Sequence, residues 1–445
     1  MKRVALAMML ASAGCAGVST SPIALEPSFA QTRSSPVGHY IKHVVIVIQE
    51  NRSFDNLFHG YPKARSANFG FDHTGKKIPL YPTTLRGHEI SHTFANAVGD
   101  WDNGKMDGFD LPLLNGYSTV GTYPYAYIKR KAIEPYWIMA QRYVLADKMF
   151  PTMFGPSFTA HLDLIAGTAN LESDISEADF PVGVPAGCDA PTGTFSFQID
   201  VYRTRSIGPF PCFTQFRTLA DTLDAAKVSW KYYAPPLDTG AGKIWTAFDA
   251  IKHVRSGPDW KRNVVSPQTR FLTDAANGKL PAVSWVIPDL VDSDHVSNLP
   301  QHGPSWVSAV VNSVGKGPDW NSTAIFVVWD DWGGWYDSVP PPQLDFRGLG
   351  IRVPCIIISP YAKRGYVSHT QYEFGSILKF VEEAFDLPSL ASQAFGSGYT
   401  DARANSMDDT FDFARAPRSF QPIPAPLPRS FFLTEKPSLE APDPY

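Results

Sequence analysis

A short apolar run from His43 to Ile48 constrains the fold more than any other stretch of this sequence. It reads H-V-V-I-V-I, a composition typical of a strand buried on both faces in a parallel sheet. The run ends at once in the polar residues Gln49, Glu50 and Asn51. Open α/β sheets bind ligands at the carboxyl ends of their strands, so this strand is expected to deliver a carboxylate and an amide there. Both groups offer the oxygen ligands that divalent cations favour.

A second strand of the same kind runs into a pair of carboxylates. Residues 323–329 read T-A-I-F-V-V-W and are followed directly by Asp330 and Asp331. Adjacent carboxylates repel each other unless a cation compensates their charge. Gly333 and Gly334 come next, and glycine allows a close approach of the backbone. If the two strands are neighbours, their polar ends form an oxygen-rich cage; the alternative is a solvated acidic turn.

The segment that follows the first strand, E-N-R-S-F-D from Glu50 to Asp55, resembles the opening motif of a bacterial phosphoesterase family. That family holds non-haemolytic-type phospholipases C and secreted acid phosphatases. The resemblance extends from about Lys42 to Ile423. It implies an alkaline-phosphatase-like α/β fold, a three-layer α/β/α core with a mostly parallel sheet and long loop insertions over its C-terminal edge. The alternation of strands and helices along the chain favours the same class.

The resemblance also implies a set of catalytic residues. Ser157 aligns with the nucleophile of the family, and Thr159 is a weaker rival. A hydroxyl at the start of a helix lies near free amides, which suits phosphate, although the residue alone would be read as an ordinary N-cap. His92 and His295 match family histidines near the site, and His302 is the fallback for His295. The two histidines would bind phosphoryl oxygens or protonate the leaving alkoxide.

One divalent metal ion, of unspecified identity, is the cofactor that the resemblance implies. Its ligands would be Glu50, Asn51, Asp330 and Asp331. Such an ion would acidify the hydroxyl of Ser157 and neutralise charge on the phosphoryl oxygens.

The chain departs from the family pattern in two places. Thr159-Ala160-His161 stands where members often carry Pro-Asn-Arg, and Ser338 stands where a histidine commonly follows the last aspartate. Because of the first departure, the sequence does not show which residues contact the phosphate group. The second weakens the case for a second metal ion or a further imidazole.

The expected activity is hydrolysis of phosphate esters through a phospho-enzyme, with phospholipid as the expected substrate. A phospholipase C must admit diacylglycerol, and the aromatic residues of the loops could line an apolar mouth. A secreted acid phosphatase is the first alternative, and a non-catalytic secreted binding protein on the same fold is the second. Sulfatase or phosphonate chemistry stays open on fold analogy. The net charge of −4 argues against a nucleic-acid partner.

The chain is interpreted as one domain behind an export signal. Lys2 and Arg3 precede an apolar run, Val4 to Ala16, that is too short to span a bilayer, and no later segment is long and apolar enough to do so. Export to the periplasm or medium is expected, with lipid anchoring at Cys15 as the weaker alternative. The predicted segments are a signal region at 1–30, a phosphoesterase domain at 40–425 with insertions near 59–130 and 170–280, and a tail at 426–445.

The remaining cysteines and two local patterns complete the expectations. Cys188 and Cys212 flank a loop rich in Gly, Pro, Ser and Thr, and a disulfide between them would fit an oxidising compartment. Cys355 is expected to be a small core residue. Helical spacing predicts a helix over 133–147, and the apolar run at 351–359 predicts the last core strand.

Overall fold

The computed structural model of the protein describes residues 36–114, 116–295, 299–393 and 396–442. The predicted export signal at 1–30, with Cys15, lies outside the described residues. Within the described ranges, none of the helices combines the length and the apolar character needed to cross a bilayer.

A nine-stranded sheet carries the core of the described chain. Its strands are β1 (His43–Gln49), β8 (Val144–Phe150), β12 (Trp230–Tyr233), β13 (Val264–Val265), β14 (Val283–Val286), β15 (Thr323–Trp329), β16 (Val353–Ile358), β17 (Tyr366–Ser368) and β18 (Tyr372–Glu373). Their order is β13-β12-β14-β1-β15-β16-β8-β17, and β18 also pairs with β8. β16 runs antiparallel to β15 and to β8, and the other described pairings of the sheet are parallel. The prediction of an α/β fold with a mostly parallel sheet is confirmed.

Shorter strands pair outside this sheet. They are β2 (Phe69–Phe71) with β3 (Lys77–Pro79), β4 (Tyr81–Thr83) with β7 (Ala126–Ile128), β5 (Leu113–Leu114) with β6 (Ser118–Thr119), and β10 (Phe197–Asp200) between β9 (Ile175–Asp179) and β11 (Arg205–Ile207). The helices are α1 (Val37–Tyr40), α2 (Phe54–Phe58), α3 (Phe94–Trp101), α4 (Glu134–Arg142), α5 (Ser157–Ala166), α6 (Leu219–Ala225), α7 (Gly240–Trp245), α8 (Lys252–Arg255), α9 (Pro258–Asn263), α10 (Arg270–Ala276), α11 (His302–Lys316), α12 (Phe374–Phe385), α13 (Leu390–Gln393) and α14 (Arg429–Phe432).

Helices cover both faces of the main sheet. Phe326 and Trp329 of β15 are three positions apart, so their side chains point to opposite faces. The ring of Phe326 packs against Phe380 of α12, with centroids 4.9 Å apart. The ring of Trp329 packs against Tyr136 of α4, with centroids 5.0 Å apart. The predicted three-layer α/β/α arrangement is therefore confirmed.

Two local predictions need correction. The helix predicted over 133–147 is wrong in its second half, because α4 ends at Arg142 and β8 begins at Val144. Tyr143 leaves the helical region at φ −130° and ψ −141°, and a short buried apolar run fits a strand as well as a helix. The run at 351–359 is not the last strand of the core, since β17 and β18 follow it and pair with β8. The segment 170–280, predicted to be an insertion, also contributes two strands, β12 and β13, to the main sheet.

The cysteines behave as expected. Cys188 and Cys212 form a disulfide, with Cα atoms 4.4 Å apart. Cys355 lies buried in β16, and burial raises the pKa of its thiol well above the ordinary range.

A buried ion-pair cluster joins the ends of the two strand motifs. Arg352 donates to both carboxylate oxygens of Asp337, at 2.9 and 3.1 Å, and to Asp55 Oδ1 at 3.2 Å. The backbone N–H of Asp55 donates to Asp337 Oδ2 at 3.0 Å. All three side chains are fully buried, and removing one member would leave an uncompensated buried charge. These two aspartates therefore hold the two motifs together, and Arg352 compensates their charge.

Candidate active site

The ends of β1 and β15 lie side by side. Their parallel register pairs Gln49 with Trp329, so Glu50 and Asp330 are the next residues on the two strands. The N–H of Asp330 donates to the carbonyl of Gln49 at 2.9 Å. The N–H of Asn51 donates in turn to Asp330 Oδ1 at 3.1 Å. The predicted meeting of the two polar strand ends is therefore present in the fold.

The turn after β15 fits against Asn51 only because it lacks side chains. Gly333 has φ +60°, and a Cβ atom there would lie 2.4 Å from the carbonyl oxygen of Asn51. At Gly334, with φ +75°, a Cβ atom would lie 2.2 Å from Cγ2 of Ile90. Asn51 itself has φ +54°, a conformation that asparagine tolerates better than most residues. The glycines thus allow the close approach that their position in the sequence predicts.

Ser157 is the first residue of α5 and is fully buried. Its hydroxyl donates to Asp331 Oδ2 at 3.2 Å and accepts from Asn51 Nδ2 at 3.3 Å. The N-cap position is Pro156, and no side chain caps the helix. The hydroxyl of Thr159 donates back to the carbonyl of Pro156 at 3.0 Å. Of the two candidate nucleophiles, Ser157 is the one whose hydroxyl lies among the polar strand ends.

His92 presents one ring nitrogen to the same centre. Its Nδ1 lies 2.8 Å from the carbonyl oxygen of Ile90. A carbonyl can only accept, so in the neutral ring Nδ1 carries the proton. Nε2 then accepts from Asn51 Nδ2 at 3.0 Å, and it lies 4.0 Å from Asp331 Oδ2. His92 and Ser157 therefore share the amide group of Asn51 as a hydrogen-bond donor.

Glu89 links the two predicted histidines, and sequence reasoning did not assign it a role. Its Oε1 lies 3.0 Å from Nδ1 of His92, and its Oε2 lies 3.4 Å from Nε2 of His295. The two imidazole rings are 6.5 Å apart. A carboxylate between two imidazoles orients both rings. The spacing of Glu89 three residues before His92 was a signal, but a weak one in a loop.

His161 is the second residue that sequence reasoning passed over. It was noted only as a departure from the family pattern, yet its Nε2 lies 2.8 Å from Glu50 Oε1 and 3.8 Å from Asp330 Oδ2. Glu50, His161 and Asp330 offer ligand atoms that all lie within 4.8 Å of one another. The spacing of four residues from Ser157 puts both side chains on one face of α5. That spacing could have placed His161 in the site.

The donor atoms at this centre fit a divalent cation. Asn51 Oδ1 and Asp330 Oδ2 are buried and accept no hydrogen bond from the residues that the structure describes. A buried acceptor without a donor is costly, and a cation removes that cost. Asp331 differs, because its Oδ1 accepts from the N–H of Gly333 at 2.7 Å and its Oδ2 from Ser157. Three of the four predicted ligands therefore suit a metal directly, whereas Asp331 contacts the nucleophile candidate.

Arg52 holds the loop that carries His295. Its Nε donates to the carbonyl of Asp294 at 2.8 Å, and burial lowers its pKa to about 10. Asp294 Oδ2 accepts from the hydroxyl of Tyr136 at 2.7 Å and from Trp329 Nε1 at 3.1 Å. Burial raises the pKa of Asp294 to about 6. Arg52 therefore organises the site from outside the centre.

The fold and this centre define an α/β protein with a buried site at the carboxyl end of its sheet, where the side chains could hold a metal ion. The model of the Phosphoesterase family matches residues 41–388, and the chain belongs to that family. The resemblance seen in the motifs is thereby confirmed.

Relatives with curated names are similar along most of the chain. Phospholipase C B of Mycobacterium tuberculosis (strain CDC 1551 / Oshkosh) is 25% identical, covering 86% of this chain and 80% of that protein. Non-hemolytic phospholipase C of Burkholderia pseudomallei (strain K96243) is 23% identical, covering 96% of this chain and 69% of that protein. A solved structure from Vibrio parahaemolyticus, described as a protein in the alkaline phosphatase superfamily, is 12% identical with a TM-score of 0.38, covering 85% of this chain and 76% of that one.

Proposed function

We propose that this protein is a phospholipase C, which cleaves the phosphate ester between diacylglycerol and a phosphorylated head group. Membership of the family confirms the prediction of a hydrolase acting on phosphoric esters. The names of the relatives favour phospholipase C over acid phosphatase. The observation that carries the proposal is the meeting of the two strand ends at the hydroxyl of Ser157.

The contacts of Ser157 suit nucleophilic attack. Oγ attacks phosphorus, its proton passes to Asp331 Oδ2, and the bond to the diacylglycerol oxygen breaks. The phosphorylated head group is then esterified to Ser157, and water releases it in a second step. His92 protonates the leaving alkoxide from Nε2, after that nitrogen has taken up a proton and no longer accepts from the amide of Asn51. Glu89 keeps His92 and His295 turned toward the phosphoryl oxygens.

The residues that would hold one divalent cation are Glu50, Asn51, Asp330 and His161, with Asp331 beside them. The chemistry that such a cation supplies is neutralisation of phosphoryl charge and acidification of the attacking hydroxyl. The mixture of carboxylate, amide and imidazole donors favours a transition metal or Zn²⁺ over Ca²⁺.

An exposed apolar hairpin supports a lipid substrate. Val201 and Tyr202 in the β10–β11 turn are 46% and 86% exposed, and Ile207 at the far end of β11 is 66% exposed. The same small sheet is tied to the active-site loop, because Asp179 of β9 accepts from the N–H of Phe94, the first residue of α3, at 2.8 Å. Exposed apolar side chains of this kind mark surfaces that contact a membrane or a partner.

Initial rates on two substrates test the proposal. We expect kcat/KM for phosphatidylcholine in mixed micelles to exceed that for p-nitrophenyl phosphate by about 100-fold or more. The reason is that the active site of a phospholipase C is complementary to the transition state of the lipid substrate. The products should be diacylglycerol and phosphocholine, and a chelator should stop the reaction. Preference for the monoester would show an acid phosphatase, and no turnover of either ester by metal-replete protein would show the binding-protein alternative.

We also propose that the protein is exported to the periplasm or the medium. The Lys2-Arg3 start before an apolar run and the disulfide between Cys188 and Cys212 support this. Fractionation of the producing cells should find the shortened chain outside the cytoplasm, and a full-length chain confined to the cytoplasm would contradict export.

A further inference from the structure

Three ligand-type side chains from separate parts of the chain meet away from the candidate active site. Asp292 ends a short 3₁₀ turn after β14, His302 begins α11, and Glu435 follows α14 in the C-terminal segment. They offer ligand atoms that all lie within 4.8 Å of one another. We propose that these three residues form a second metal site, which binds Zn²⁺ or a similar divalent cation and fastens the C-terminal segment to the loop that carries His295.

The spacing of the three side chains matches that of ligands around one ion. His302 Nδ1 lies 3.4 Å from Asp292 Oδ1 and 3.3 Å from Glu435 Oε1. Ligands at about 2.0 Å from a tetrahedral Zn²⁺ are about 3.3 Å from each other. Nδ1 nevertheless makes no hydrogen bond to either oxygen or to any other described residue. Nδ1 therefore lies within ion-pair distance of both carboxylates without a hydrogen bond to either.

Asp292 supplies an independent sign of a missing partner. Its side chain is only 4% exposed, and Oδ1 accepts no hydrogen bond from the described part of the chain. The carboxyl group of Glu435 is its side-chain partner. Leaving such an acceptor unsatisfied inside a protein is costly. Burial raises the pKa of Asp292 and that of Glu435 to about 8 each. A bound cation would favour both carboxylates in their charged form, whereas without one the two groups would share a proton.

The donor set indicates the kind of ion. One imidazole and two carboxylates are typical of Zn²⁺ and related transition metals, with water completing the coordination. Ca²⁺ and Mg²⁺ prefer oxygen ligands throughout. The site also holds the tail by packing, since Phe431 and Phe432 lie with their rings 5.2 and 6.5 Å from the ring of His302.

A short chain of hydrogen bonds leads from this site to the active centre. The carbonyl of Asp292 accepts from Gln49 Nε2 at 3.1 Å. Gln49 Oε1 accepts from the N–H groups of Glu50 and Asp294, at 3.1 and 3.0 Å. A cation on Asp292 would therefore brace the loop that ends in His295 against the strand end that carries Glu50.

The zinc content of the wild-type protein and of four variants tests the second site. We expect zinc-replete wild type to hold two ions per chain, and Glu435→Gln and His302→Gln to hold one each. Glu440→Gln, an exposed change in the same segment, should hold two. Asp330→Asn, which alters the active centre, should also hold one. If Glu435→Gln holds as much zinc as wild type, the proposal is overturned. Asp292 and Glu435 of the wild-type protein would then be two carboxyl groups that share a proton.

A titration keeps the test decisive if the Glu435 and His302 variants fail to fold. Chelator-stripped Asp330→Asn protein should bind one Zn²⁺ with a rise in Tm. Absence of zinc binding by that protein would overturn the second site. Equal zinc contents in wild type and Asp330→Asn would instead count against the metal centre of the proposed function, so the two failures are distinguishable.

Discussion

Replacing Ser157 with alanine is expected to lower kcat on phosphatidylcholine by about 10³-fold or more, because loss of a nucleophile removes the covalent route. Ser157 is fully buried between Asn51 and Asp331, so the missing hydroxyl cannot be replaced by a neighbour in the same position. Metal content should stay at the level of wild type. Steady-state rates and acid-quench trapping of the labelled phospho-enzyme measure the effect.

Thr159→Val is the matched control for this variant. Thr159 lies on the same helix and is equally buried, but its hydroxyl bonds to the carbonyl of Pro156 and not to the centre. Activity of the Thr159→Val protein should stay within a few-fold of wild type, about the level expected of a change outside the reacting groups. If the Ser157→Ala protein keeps most of its activity, or if label is trapped at Thr159, the assignment of the nucleophile is wrong.

Replacing Asp330 with asparagine is expected to remove the active-centre metal and to lower kcat/KM by about 10²–10³-fold, since a bound cation contributes several kcal/mol at a developing phosphoryl charge. The amide keeps an acceptor for the N–H of Asn51, which Asp330 Oδ1 binds at 3.1 Å. The backbone turn should therefore be retained. The loss of metal and of activity should then result from the missing negative charge. Metal content and kcat/KM of the variant, each compared with wild type, test this prediction.

Asp100→Asn provides the comparison. Asp100 is also fully buried, and its Oδ2 accepts from Trp332 Nε1 at 2.9 Å. Burial raises its pKa well above the ordinary range, so exchange for a neutral amide should cost little at this position. The amide can accept the same hydrogen bond, and metal content and rate should stay close to wild type. Equal metal loss in both variants would mean that the Asp330 effect is a general consequence of altering buried acids.

The sequence predicted the core of the site because that core depends on strand ends. β1 and β15 are apolar runs that must be buried, and neighbouring parallel strands end at the same edge of a sheet. Their register fixes Glu50 beside Asp330 without help from the rest of the chain. Gly333 and Gly334 carry equally local signals, since a positive φ and a close contact demand glycine.

The residues that sequence reasoning missed reach the site through tertiary packing. Glu89 lies in a loop without periodicity, and its contacts to two histidines depend on how that loop crosses the sheet edge. His161 was set aside as a departure from the family pattern, although its spacing from Ser157 was available. His302 was the fallback for a catalytic histidine, and it lies instead with Asp292 and Glu435. The helix predicted over 133–147 failed at Tyr143, where a buried strand replaces its second half.

Anomalous diffraction from a crystal of metal-replete protein tests the meeting of the two strand ends around one ion most directly. The expected result is a peak at bonding distance, about 2.0–2.3 Å, from Glu50 and Asp330 oxygens and His161 Nε2, with the Ser157 hydroxyl alongside. A fully active protein whose crystals show no metal peak between these residues would contradict the account.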